Sequence, residues 1–280
     1  MDFPRFRDPA LRTLRPEEVH VGLSGARVFH LHDGTGRPVA VFKSVPPDRP
    51  DLMAELMAES ENTERLSRAG AAVPNLLETG APPERTGVPG LRWMLTSHLP
   101  GTPAHEPRAL REHPDLVEVL AEAAHGLHRP HPGSVLRYER LEDEVERARE
   151  RVASGVVQRS WQGTGRAGTD PVRALAEVER RVERAGRLPL VVTHGDFCLP
   201  NVLVTPEGGW GFVDLGRAGL ADSHRDLAAM VGSLRSRLNP HFGEADAERF
   251  LDAYGRERVD PEMLALHFEV DAFFWPAAPD

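Results

Sequence analysis

The texture of the chain changes at "HLPGTP", His98 to Pro103, where two prolines and a glycine end one kind of periodicity and another begins. Upstream, apolar residues alternate with polar ones in short runs bounded by Gly-containing turns, the mark of half-buried strands. Downstream, helical spacing dominates. Such a chain is α+β, with its main sheet at the N-terminal end. At 280 residues it is longer than one minimal core requires, so two lobes are expected, residues 1–99 and 100–280.

In the first lobe, strands are predicted at Ala26 to His32 and Pro38 to Val45, joined by a hairpin turn at "HDGTGRP". A helix follows from Asp51 to Ala69. Its apolar residues fall at 52, 53, 56, 57 and 66, Asp51 is the expected N-cap and Gly70 the stop. Two more strands are expected at Asn75 to Glu78 and Leu91 to Ser97. The second lobe should hold helices at Ala109 to Arg129, Leu136 to Val152 and Pro171 to Ala185, with a loop, "VVQRSWQGTGRAGTD", between the last two. Short strands at "LVVT", "NVLVT" and "WGFVDL" come next, the latter two joined by a turn at "PEGG". Helices at Ser223 to Leu238, Glu244 to Tyr254 and Pro261 to Phe274 close the chain.

Composition narrows the setting. The sequence has one cysteine, Cys198, which offers neither an internal disulfide nor a metal-binding set and points to a reducing, cytoplasmic compartment. The first residues lack a signal-peptide core, and no run approaches the roughly 18 apolar residues of a membrane span. A formal net charge of −9 argues against nucleic acid, whose phosphates require excess Lys and Arg, and suits a cationic partner.

The stretch "VVTHGDFCLPNVLV", Val191 to Val204, carries the chemistry. Asp196 stands five positions before Asn201, and Asp214 ends the strand "WGFVD" ahead of Leu215-Gly216. If the two strands pair through "PEGG", Asn201 and Asp214 reach the same end of the ribbon. An amide oxygen and a carboxylate are what Mg²⁺ takes from protein, the rest of its octahedron coming from water and phosphate. A further Asp that is not a ligand can accept a hydroxyl proton. That division of labour is the phosphoryl-transfer arrangement of kinases, in which Asp-x-x-x-x-Asn is followed by an Asp-x-Gly metal site.

A kinase of this plan needs three more parts. Lys43, in "VAVFK", is placed on a strand to hold phosphate oxygens; Glu55 and Glu59 both lie on the following helix and either could orient it. "GLSGARVF", Gly22 to Phe29, supplies a small-residue turn of backbone N–H groups. Other motifs are set aside. "GTGRAG", Gly163 to Gly168, spells a dinucleotide fingerprint but lacks its strand and acidic residue and is read as a loop. His125, His128 and His131 recur every third position, but Pro130 and Pro132 break the helix, so a helix C-terminus is the reading rather than a metal site. Cys198 is taken as packing, with His194 supporting the loop.

"THGDFCLPNVLV", "GFVDLGRAGLAD" followed by "DLA", "RFLDAYG" and "VDAFF" together resemble the aminoglycoside phosphotransferase family, and its 3'-phosphotransferases most closely, over nearly the whole chain. The resemblance implies a two-lobed, protein-kinase-like fold: an antiparallel sheet with one main helix, then a larger, mainly helical lobe. It implies ATP, or GTP, as co-substrate with Mg²⁺, and a cationic aminoglycoside as acceptor, phosphorylated at the 3'-hydroxyl so as to confer antibiotic resistance. By the same resemblance Asp196 is the catalytic base and Asn201 and Asp214 hold Mg²⁺. Lys43 binds nucleotide phosphates with Glu59 as its partner, and Ser24, Gly25 and Ala26 form the nucleotide-positioning loop. Ser97 and Leu99 present hinge backbone to the adenine edge and Val41 lies against the base.

The sequence departs from the family in two main places. The loop after the "ERAR" helix has Arg159 and Arg166 and no acid before Asp170, where relatives have an acidic stretch for substrate ammonium groups. The ending reads Asp271-Ala272-Phe273-Phe274 and continues through "WPAAPD", leaving Glu269 and Asp271 as the carboxylates for amine contacts. Ser223 replaces a basic residue after "AD". Two alternatives stay open: a small-metabolite kinase of the same fold, acting on an amino alcohol, amino acid or sugar, and a nucleotide-binding pseudokinase without catalysis.

Overall fold

A computed structural model of the protein describes residues 3–19, 25–46, 48–80, 92–129, 136–157, 168–186 and 189–274. It divides into two compact units. The first comprises Met1–Ala104, His131–Val135 and Asn201–Ala218, and the second His105–Pro130, Leu136–Pro200 and Gly219–Asp280.

The first unit is built on a five-stranded antiparallel sheet with the spatial order β1-β2-β3-β5-β4: β1 (Arg15–Val19), β2 (Arg27–His32), β3 (Pro38–Val45), β4 (Leu76–Gly80) and β5 (Arg92–Ser97). Period-2 alternation splits β3 and its neighbours into two faces. Phe29, Leu31, Ala40, Phe42, Trp93 and Leu95 form one core with Phe6, where Phe42 stacks on Trp93 at 5.7 Å. The opposite face carries Val45 and Met94, and against them pack Leu52 and Leu56 of α1 (Pro50–Arg68). The β2–β3 register sets Val28 opposite Lys43 and His30 opposite Val41.

Asp51 is not the N-cap of α1. Pro50, whose fixed φ suits the first helical position, starts the helix one residue earlier, and Asp51 lies in the first turn paired to Arg49 at 2.7 Å. Gly70 ends it as expected, at φ 80°. A small sheet completes the unit: β6 (Thr102–Pro103) pairs with β8 (Val202–Val204), and β8 with β9 (Trp210–Phe212) through the predicted hairpin turn. Gly101 lies so close to this ribbon that a Cβ there would stand 2.9 Å from the Leu203 Cβ.

The second unit is mainly helical: α2 (Pro107–Glu112), α3 (Leu116–Leu127), α4 (Leu141–Ala153), α5 (Pro171–Arg184), α6 (His224–Arg235), α7 (Glu244–Gly255) and α8 (Pro261–Asp271), with a two-stranded ladder of β7 (Val191–Thr193) and β10 (Gly219–Ala221). The single helix expected from Ala109 to Arg129 is two, because Pro114 excludes the helical conformation at His113, which turns extended at φ −131°, ψ 90°. The α4 helix begins at Leu141 rather than Leu136, since Tyr138 bridges to Leu220 and the Leu220 N–H donates to the Arg137 carbonyl at 2.8 Å. Leu141, Val145 and Ala148 of α4 pack with Leu175 and Val178 of α5 and with Met263, Leu266 and Val270 of α8. Among the described residues no helix is long and apolar enough to cross a membrane.

Beside that apolar core lies a buried ionic cluster. The His267 Nε2 is 2.8 Å from an Asp222 oxygen and its Nδ1 is 3.7 Å from Glu144; the Arg225 Nε is 2.6 Å from Glu144, and the His224 Nδ1 is 3.1 Å from Asp222. Burial alone would lower the His267 pKa, but its contacts with Asp222 and Glu144 outweigh this and push it up to about 9. An imidazole held charged in this way stabilises the fold fully below its ordinary value of 6.5, and the contribution is lost as pH rises through about 9. Urea denaturation between those limits should therefore show stability falling by up to about 3 kcal/mol, and His267→Gln should flatten that slope. An equal slope in the variant would assign the effect elsewhere.

Candidate active site

The buried stripe of α1 runs through Leu52, Leu56 and Glu59 at helical spacing, so Glu59 faces the sheet with the apolar residues and is 6% exposed. It meets Lys43, which projects from the same face of β3. The Lys43 Nζ donates to the Glu59 Oε2 at 2.7 Å and to the Asp214 Oδ1 at 2.8 Å. Of the two helical carboxylates, Glu59 is the one that pairs with the lysine, while Glu55 packs at Gly216, where a Cβ would stand 2.9 Å from the Glu55 Cγ. Ala26, Lys43, Glu55, Glu59 and Asp214 line one small cavity.

Electrostatics follow from the geometry. Burial opposes the charge on Lys43, but Glu59 and Asp214 together hold its pKa above the ordinary lysine value. Burial pushes Glu59 up, and Asp214 adds to that push against the pull of Lys43. One ammonium thus serves two carboxylates, and when both are ionised the set has a surplus negative charge that suits a cation.

Asp214 is the only non-glycine residue with positive φ among those described, at φ 63°, ψ 60°. For a side chain with a Cβ this left-handed conformation costs about 1 kcal/mol. Its surroundings enforce it: the turn Leu215–Arg217 that follows is fixed to α1 by Asn62, whose buried amide donates to the Leu215 and Ala218 carbonyls at 2.9 and 3.0 Å. The β8–β9 ladder pairs Val202 with Phe212, and the Val213 N–H donates to the Asn201 carbonyl at 3.1 Å. Asn201 and Asp214 therefore reach the same end of one ribbon, as the spacing predicted. Their amide and carboxylate oxygens fit the hard-donor chemistry of Mg²⁺.

The remaining nucleotide-site candidates fall in the same unit. Val41 pairs with His30 on one side and Thr96 on the other, on the face that carries Lys43. Gly25 has φ 82°. The Ser97 N–H donates to the Asn75 carbonyl at 2.8 Å, and Leu99 fills the space above Gly211, where a Cβ would stand 2.6 Å from the Leu99 Cδ2. Ser24 lies outside the described residues, as do Arg159, Arg166, His131 and the "WPAAPD" ending.

In the second unit, Asp196 sits in the loop after β7. Asp226, fully buried at the start of α6, accepts from the His194 N–H and the Gly195 N–H, each at 2.8 Å. The Asp196 N–H donates to the His194 Nδ1 at 3.3 Å, so His194 does support the loop. Half-buried Cys198 donates its backbone N–H to the Asp196 carbonyl at 2.9 Å. Burial favours neutral Asp226, but His128 and the loop amide of His194 hold its pKa below the usual carboxylate range. The individual roles of Asp226 and Asn62 were not assigned from sequence. The available signal was a lone acid in the apolar run "DLAAMVGSL" and a lone amide near the buried stripe of α1.

Of the expected substrate carboxylates, Asp271 ends α8. Glu269 is already engaged: both its oxygens accept from the Arg181 Nη1, at 2.6 and 2.7 Å, while the Arg181 Nε donates to Glu262 at 2.7 Å.

The profile of the phosphotransferase enzyme family (APH) matches residues 17–266. The aminoglycoside 3'-phosphotransferase of Streptomyces fradiae is 36% identical over 274 residues, covering 95% of this chain and 99% of that one. A crystal structure of an aminoglycoside-3'-phosphotransferase of type VIII superposes with a TM-score of 0.74 at 33% identity, over 95% of this chain and 98% of the other. The aminoglycoside phosphotransferase APH(3'')-Id from Streptomyces rimosus, in complex with ADP and streptomycin, superposes at 0.68 with 28% identity, over 93% and 92% of the two chains.

Replacing Lys43 by Met leaves Glu59 buried beside Asp214 without its cation, and should cost about 3 kcal/mol in chemical denaturation. Adding Glu59→Leu should restore most of that loss, because the buried carboxylate then goes too. A double variant no more stable than the single one would refute this account of the pair.

Proposed function

The chain belongs to the APH phosphotransferase enzyme family, and from that premise we propose that it transfers the γ-phosphoryl group of ATP to a hydroxyl of an aminoglycoside, with the 3'-hydroxyl as the favoured position and antibiotic resistance as the outcome. The observation that carries the reading is the Lys43 ammonium held between Glu59 and Asp214 at 2.7 and 2.8 Å. Residues 1–99 form the nucleotide-binding lobe and 100–280 the catalytic and acceptor-binding lobe. The ADP bound by the S. rimosus relative supports an adenine nucleotide, and the S. fradiae relative supports the 3'-position.

In this reading Lys43, oriented by Glu59, offsets charge on the nucleotide phosphates. Gly25 and Ala26, with Ser24, present the loop over them, and Val41 with the backbones of Ser97 and Leu99 receives the base. Asn201 and Asp214 hold Mg²⁺, which when bound neutralises phosphate charge. The acceptor hydroxyl, oriented by Asp196, attacks the γ-phosphorus in line. Its new O–P bond forms as the bond to the ADP oxygen breaks, and Asp196 takes the proton.

A second reading, a small-metabolite kinase, is favoured by Glu269, since the guanidinium of Arg181 already occupies the carboxylate that an aminoglycoside ammonium would need. The pseudokinase reading is opposed by the presence of Lys43, Asp196, Asn201 and Asp214 together. A coupled ADP-release assay over kanamycin, streptomycin, choline and homoserine, with ATP and GTP compared, separates these readings. Turnover is expected with an aminoglycoside and ATP, and Asp196→Ala should lower kcat by about 10² or more. Turnover of choline or homoserine alone would transfer the assignment to a metabolite kinase, and activity unchanged by Asp196→Ala would remove the mechanism.

A further inference from the structure

Three helices of the second unit converge on one buried hydrogen-bond chain. Asp226 at the start of α6 receives the two loop amides described above, and its Oδ2 also lies 3.1 Å from the Nε2 of His128, the residue that caps α3. The Nδ1 of His128 is 2.8 Å from the hydroxyl of Tyr254, near the end of α7. All three side chains are buried: Asp226 is 0% exposed, Tyr254 5% and His128 9%. Tyr254 is held in place by a parallel stack on His125 at 4.3 Å and an edge contact with His128 at 5.6 Å.

The proton positions follow from the donor inventory. Asp226 is kept ionised, so it can only accept, and the His128 Nε2 must carry a proton. With a single ring proton, placed on Nε2 by Asp226, Nδ1 is the acceptor and the Tyr254 hydroxyl its donor, so donation by Tyr254 and the Nε2–H tautomer go together. The phenol in turn has a hydrogen-bond partner in Ser223, and burial raises its pKa, which keeps it a donor.

We propose that His128 and Tyr254 are positioning residues for phosphoryl transfer. Tyr254 donates to His128, His128 fixes the Asp226 carboxylate, and Asp226 fixes the two amides that immediately precede Asp196. The inference rests on the reading of Asp196 as the proton acceptor. A buried polar cluster that only stabilised the fold could end anywhere; this one ends on the His194 and Gly195 amides, with Gly195 held at φ 78°. A carboxylate released from His128 can rotate away from one of those amides, and displacement of a reacting group by about 1 Å can cost about 10² in rate.

The test uses the full chain with ATP and kanamycin, comparing His128→Gln, His128→Asn and Tyr254→Phe with the parent at a temperature where each is folded. Gln places an N–H near the imidazole Nε2 position and Asn near Nδ1, so Gln should recover most of the rate and Asn should lose kcat by about 10². Tyr254→Phe should lose about tenfold, and the KM for ATP should stay within about twofold in all three. In parallel, ¹⁵N-histidine NMR of the parent should show His128 protonated at Nε2 and accepting at Nδ1. An Nδ1–H tautomer, equal rates for the Gln and Asn variants, or a KM for ATP that rises as kcat falls would overturn the proposal. If Asp196→Ala retained turnover, the underlying site reading would fail instead, an outcome the NMR result does not share.

Discussion

A single ammonium shared by two carboxylates organises the first unit. Lys43 comes from the sheet, Glu59 from the helix packed on it, and Asp214 from a hairpin more than a hundred positions further along the chain. Glu59 is buried and Lys43 and Asp214 are half-buried, and the carboxylate of Glu59 would be costly to bury without its cation; together the three tie sheet, helix and hairpin to one another. The left-handed backbone at Asp214 belongs to the same arrangement, since the turn after it is held on α1 by Asn62 and by the close fit of Gly216 to Glu55. Strain at such a position persists only where the surroundings over-determine it, as they do here.

The second unit uses buried polarity in a comparable way. Asp226 satisfies two consecutive buried loop N–H groups, those of His194 and Gly195, by accepting from both. The Asp222, His267, Glu144 and Arg225 cluster joins α4, α6 and α8 alongside their apolar contacts. Apolar packing tolerates small slides between helices; charged hydrogen bonds at fixed distances do not, and they fix the register of these helices.

Much of the fold was legible because its elements obey simple periods. The β2–β3 hairpin, β5, α1 and the β8–β9 ribbon all appear where alternation, helical spacing or turn residues put them. The rest depended on partners that a sequence does not display. β1, "RPEEV", has an almost wholly exposed pattern and no alternation to read; β6 and β10 are two or three residues long and exist through their ladders. The break at Pro114 was visible in principle, but the apolar repeat on either side masked it. In the site, residue types and spacing marked Lys43, Asn201 and Asp214 but left Glu55 and Glu59 open; the family resemblance pointed to Glu59, and the geometry pairs Glu59 with Lys43. The engagement of Glu269 by Arg181 could not be read, because 88 positions separate the pair.

Lys43 is also the only lysine in the sequence, one among 34 basic side chains. Among the described residues arginine supplies the cation of most exposed ion pairs, whereas this half-buried position has an ammonium, whose compact charge donates to two carboxylates at once. Apart from the chain's own amino terminus, the protein therefore presents amine-directed reagents with one target. Held protonated by its two partners, that amine is a poor nucleophile in the folded state. Labelling with such a reagent becomes a direct count of how often this one triad opens.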